Sequence, residues 1–71
     1  MTLDEMNTRF RVIEDEWKIG SPSEQAEYLA ELTAMRTELD GVTGAQASGA
    51  LWLKRTIDRV IRNITAEQAR V

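Results

Sequence analysis

The chain has 71 residues, 42% apolar and 30% charged, with a net charge of −3 and neither cysteine nor histidine. That length holds one domain at most, near the lower limit for folding without staples, and the composition is that of a soluble globular domain. The missing residue types exclude disulfides and thiolate metal sites and remove the commonest general base and metal ligand. No apolar run reaches the roughly 18–20 residues of a membrane span. The N-terminus carries acids where a secretory signal carries lysines and an apolar block, so a cytoplasmic location is expected.

The chain reads as three helices in order. Thr2 followed by Glu5 is a capping-box pattern that starts helix one at Leu3. Leu3, Met6, Phe10, Ile13 and Trp17 then recur at three, four, three and four, a heptad seam that predicts a helix over 3–19. Glu14, Asp15 and Glu16 beside it form an acidic run that reads as a solvated face. Gly20 is the expected left-handed helix stop. Ser21, Pro22 and Glu24 supply an N-cap, a first-turn proline and a second capping box, so helix two is expected over 22–40.

Tyr28, Leu29, Leu32, Met35 and Leu39 fall within an arc of about 120° on helix two, opposite an acidic ridge of Glu27, Glu31 and Glu38 with Glu24 at its edge. Such a ridge can mimic nucleic-acid phosphates, but exposed helix faces are commonly rich in glutamate for propensity alone. Gly41 is the expected next stop, and Thr43 with Gln46 forms a third capping pattern. Helix three is expected over 44–64, its core face formed by Ala50, Leu53, Ile57, Val60 and Ile64. It is longer than its neighbours require, so its end is expected to protrude, with 65–71 frayed.

These patterns define an all-α fold, a small bundle of three antiparallel helices forming a single domain. Its expected core is Leu3, Met6, Phe10, Ile13, Trp17, Leu29, Leu32, Met35, Leu39, Leu53, Ile57, Val60 and Ile64. Residues 1–40 carry ten acids and four bases, and residues 41–71 carry two acids and five bases. One consequence is ion pairing across the helix seams. The other is a polar molecule offering separate acidic and basic faces, able to stack head to tail.

Catalytic chemistry finds no support. Ser48 and Lys54 are the nearest approach to a nucleophile–base pair, but six residues apart on one helix they occupy different faces. No catalytic residue, cofactor or metal is expected. Gly41 and Gly44 lack the preceding strand and lysine of a phosphate cradle. The outline of helix two, turn and helix three also resembles a helix-turn-helix motif. Yet Arg36 and Asp40 stand where apolar residues belong, and Gly44 to Ser48 offer almost nothing to read bases, so direct nucleic-acid binding is not expected.

What remains is a surface. With Leu53 as the core direction, Leu51 projects about 160° away and Trp52 about 100° away. Arg55 and Arg59 stand on neighbouring turns, with Arg62 beyond them, and tryptophan and arginine are the types most enriched at interface hot spots. Leu51, Trp52, Arg55, Arg59 and Arg62 are therefore the candidate partner-binding residues. Ala45, Ala47, Ser48, Gly49 and Ala50 form a strip of small residues that lets another backbone come close.

Two functional classes fit. One is a small adaptor or inhibitor, of the kind phages and plasmids encode, docking a helical face on a partner protein. The other is a self-assembling structural subunit, giving a homo-oligomer in place of a hetero-complex. For the second, Pro22, Ser48-Gly49 and Leu53-Lys54 through Ile57-Asp58 make the chain similar in outline to type III secretion needle subunits. The strong heptad of helix one and the seven residues beyond Ile64 depart from that pattern, and the family is not assigned.

Overall fold

The computed structural model describes residues 1–70. Helix α1 spans Leu3–Glu16 and tightens into a 3-10 turn over Trp17–Ile19, α2 spans Pro22–Leu39, and α3 spans Ala47–Ala69 after a second 3-10 turn over Gly44–Gln46. Consecutive helices are antiparallel: Glu31 and Tyr28 of α2 meet Arg9 and Glu16 of α1, while Asp58 and Gln68 of α3 meet Arg36 and Pro22 of α2. α1 and α3 consequently run parallel, with Leu3 beside Gly49 and Glu14 beside Arg59. The fold is the expected three-helix bundle, drawn out into a rod of 42 × 18 × 15 Å.

Both predicted N-terminal capping boxes form. Thr2 Oγ1 accepts the Glu5 N–H and Glu5 Oε1 accepts the Thr2 N–H, each at 3.1 Å. Ser21 and Glu24 repeat the arrangement at 3.2 Å. The third pattern fails: Thr43 makes no side-chain bond to the helix start. Gly44 instead turns the chain at φ +76°, and α3 becomes α-helical only at Ala47.

Gly44 is also the only left-handed glycine among the described residues, so Gly20 and Gly41 do not stop their helices as expected. Gly20 is extended, and α1 closes through its 3-10 turn, the Gly20 N–H donating to the Trp17 carbonyl at 3.3 Å. α2 closes through two bonds of 3.1 Å, from Gly41 N–H to Glu38 O and from Val42 N–H to Leu39 O. α3 runs past Ile64, so the residues expected as a frayed tail are helical through Ala69. Gln68 Nε2 ties that end back to the Pro22 carbonyl at 3.3 Å, so it lies along the start of α2.

The core follows the spacings except at Leu3 and Leu29. Met6, Phe10, Ile13 and Trp17 meet Leu32, Met35 and Leu39 and the Ala50, Leu53, Ile57, Val60, Ile64 face of α3. Each fully buried large side chain contributes roughly 1.5–3 kcal/mol relative to exposure. Leu3 and Leu29 are only partly buried, joined at the margin by Tyr28, Val42 and Ile61. One polar residue enters: Gln25, which continues the seven-residue repeat of Leu32 and Leu39. Its Nε2 donates to the Trp17 carbonyl at 3.1 Å, so the buried amide has a partner where α1 ends.

The charge asymmetry resolves in part into pairs across the seams. Arg9 grips Glu31 with two bonds, of 2.8 and 3.0 Å, between α1 and α2. Arg36 meets Asp58 at 2.5 Å and Lys54 meets Asp40 between α2 and α3, and Arg59 lies 3.5 Å from Glu14 between α1 and α3. Hydrogen bonding to Lys54 holds the Asp40 carboxyl below its ordinary value, and bonding to Asp58 raises Arg36. Exposed pairs of this kind add little stability.

Candidate functional site

Helix α3 carries the candidate residues on its outward face. Ala50, Leu53, Ile57, Val60 and Ile64 take the inner face, and the 100° step leaves the intervening positions outside. Leu51 is 47% exposed and Trp52 61%, the latter an unusual exposure for so large an indole. No neighbouring helix covers either residue. Leu51, Arg55 and Arg62, at steps of four and seven, follow one line along the outside of α3. Trp52 and Arg59, seven apart, follow a second line that leans toward α1.

The structure brings α1 into this surface. Trp52 borders two shallow clefts in the α1–α3 seam, one with Leu3, Asp4 and Asn7, the other with Asn7, Arg11, Glu14 and Arg59. Arg59 is tethered to Glu14, whereas Arg55, Arg62 and Arg11 have no ion-pair partner among the described residues. Arg11 and Asn7 were not expected at the site. Nothing in their spacing reveals which flank of α1 receives α3, since that depends on the handedness of the bundle.

The strip of small residues divides. Ala50 enters the core, while Ala45, Ala47, Ser48 and Gly49 stay exposed. At Gly49 the start of α1 comes close: a β-carbon there would sit 3.4 Å from Leu3 Cδ2. The strip thus serves an approach within the molecule at one point only.

Charge on the two flanks of α1 is opposite. Toward α3 lie Arg11, Lys18 and Arg59 against Asp4 and Glu14. Toward α2 lie Glu5, Glu16, Glu24, Glu27, Glu31 and Glu38 against Arg9 and the N-terminal ammonium. Glu24, Glu31 and Glu38 repeat every seven residues, so they stand in one row. Between α1 and α2 a cleft opens onto Ala34 and Met35, and both carboxylates at its rim are paired there, Glu31 with Arg9 and Glu38 with the Met1 ammonium at 3.7 Å.

Other chemistry finds no assembled site. No cluster of three or more potential metal ligands occurs among the described residues, and none of their helices is long and apolar enough to cross a membrane. Lys54 is engaged with Asp40. No model of a known protein family, no curated protein and no solved structure matches this chain.

Proposed function

We propose that the protein is a small non-enzymatic interaction module that docks the outer face of α3 on a partner protein. The observation that carries this reading is the adjacent exposure of Leu51 and Trp52 on a helix whose other large apolar residues are all in or against the core. Trp52 supplies a broad, stiff anchor, and Arg55, Arg59 and Arg62 supply charged contacts around it, the combination that concentrates binding energy at interfaces. The partner chemistry this face selects is an apolar pocket with carboxylates at its rim.

The test compares the two tryptophans. Trp52→Ala leaves the helical signal and melting temperature of the free chain nearly intact and weakens association by about 2 kcal/mol or more. Trp17→Ala, whose indole is 7% exposed, removes core volume and costs about 3–5 kcal/mol of folding stability. If Trp52→Ala melts the free protein as Trp17→Ala does, Trp52 belongs to the fold and the interaction reading fails.

A further inference from the structure

We infer that the partner of the α3 face is a second copy of this chain, turned end for end so that the two Trp52 side chains meet at a twofold axis. This rests on the interaction reading above and names the occupant from the charges beside Trp52. Asp4 borders the cleft on one side of the indole, and Arg11 borders the cleft on the other. Both are exposed, and neither has an ion-pair partner among the described residues. The remaining charges of these clefts, Glu14 and Arg59, satisfy each other at 3.5 Å.

The order of these groups is self-complementary. Asp4 and Arg11 are seven residues apart, so they stand about 10 Å apart on one line of α1, with the midpoint at Asn7 and Thr8. Trp52 stands at that level, because it borders both clefts together with Asn7, while Leu3 lies beside Gly49 and Glu14 beside Arg59. A twofold axis laid across α1 and α3 at this level sets α1 against α1 and α3 against α3, each antiparallel. Asp4 of each copy then faces Arg11 of the other, giving two equivalent ion pairs around the apposed indoles.

The arginines of α3 fit the same register. Arg55, Arg59 and Arg62 lie over residues 43–50 of the second copy, a stretch of mainly small residues without a charged side chain. Their stems pack there without meeting their own kind. A parallel pairing lacks this fit, because it sets α1 against α3 and brings Arg11 level with Arg55 and Arg59. The antiparallel contact is isologous, so it closes at the dimer.

Sedimentation equilibrium of the full chain and of Asp4→Lys and Arg11→Glu decides this. The wild type is expected as monomer and dimer in a concentration-dependent balance at about 50 mM salt, with nothing larger. Each variant alone sets like charges together twice and dimerises about tenfold more weakly or worse. Their equimolar mixture recovers the wild-type affinity, because every position then faces its opposite. Each substitution moves the net charge of −3 by two, to −1 and −5, so bulk attraction between the variants does not produce that recovery. Circular dichroism checks that each variant keeps its helices.

Four results overturn the inference. The wild type is monomeric at every concentration, or it assembles beyond the dimer. Alternatively, either variant dimerises like the wild type, or the mixture associates no more tightly than its components. A monomeric wild type leaves the interaction module standing with a foreign partner, since that reading fails only through the tryptophan comparison.

Discussion

The most informative single substitution in the fold is Gln25→Glu, because it changes one buried atom's chemistry and almost none of its shape. Gln25 is 7% exposed, and its Nε2 donates to the Trp17 carbonyl at 3.1 Å, the point where α1 ends and the chain turns toward α2. A carboxylate in that place has no proton to donate and sets a charged oxygen against the carbonyl. The lost hydrogen bond costs about 1 kcal/mol, and burial of an unpaired charge adds about 1–3 kcal/mol. For a domain of this size, whose core supplies only about 3–5 kcal/mol, that is half or more of its stability.

The effect carries a sign in pH. Burial and the facing carbonyl raise the folded-state value of the introduced carboxyl above its unfolded value. The penalty is therefore full at pH above the folded value and disappears as pH falls below the unfolded one, where the protonated acid can donate again. Urea denaturation followed by circular dichroism, with wild type as reference at pH 7 and at about pH 4, reads this directly. Gln25→Leu is the control, since it loses the bond without gaining a charge and its deficit stays constant with pH. A Gln25→Glu deficit that is equal at both pH values, or absent at pH 7, would refute a structural role for this amide.

Further expectations concern the connections and seams. Gly44→Ala forces a β-carbon into the left-handed region at φ +76° and should destabilise by about 1–2 kcal/mol, although no atom lies in its way. Gly49→Ala should act in the opposite direction, by about 0.5–1 kcal/mol, because it improves helix propensity and meets Leu3 at an ordinary contact distance. Thermal melts should separate the two variants on either side of wild type, by about 4–8 °C per kcal/mol. The Asp40 carboxyl is held down by Lys54, so its stabilising contribution is present above the ordinary carboxylate value and lost as pH falls through the lowered folded value. Lys54→Met should therefore flatten the acid limb of the stability profile, measured by denaturant midpoints between about pH 7 and pH 2.5. An unchanged limb would assign that slope to other carboxylates.

Helices and core were legible because both follow from spacing alone. The seam from Met6 to Trp17 and the seam from Ala50 to Ile64 leave no alternative face to bury, and serine or threonine three residues before glutamate dictates a helix start. Helix ends were less legible because several carbonyl-capping arrangements lie close in energy. Gly20 and Gly41 had the right residue type for a left-handed stop, but 3-10 tightening and the Gln25 side chain supplied the needed bonds first. Gln25 is a polar residue whose burial only one signal marks, its position seven before Leu32.

At the surface, the outward projection of Leu51 and Trp52 could be read from an angle of 100° per residue. That Arg59 would be held by Glu14 while Arg55 stays unpaired could not. It depends on the side of α1 against which α3 settles, and no local pattern encodes that choice.

The placement of the two indoles also makes the chain its own spectroscopic instrument. Trp17 sits in the interior with the Lys18 ammonium 5.8 Å from its ring, and Trp52 stands largely in water. Indole emission shifts to shorter wavelength when water is removed from around the ring, so the native spectrum is a sum of a blue component and a red one. Iodide, which stays in water, reaches the red component alone. Unfolding moves the blue component to the red, while covering Trp52 moves the red component to the blue and shields it from iodide. Loss of fold and gain of a partner thus displace the emission in opposite directions, and one fluorescence titration on the unlabelled protein tells them apart.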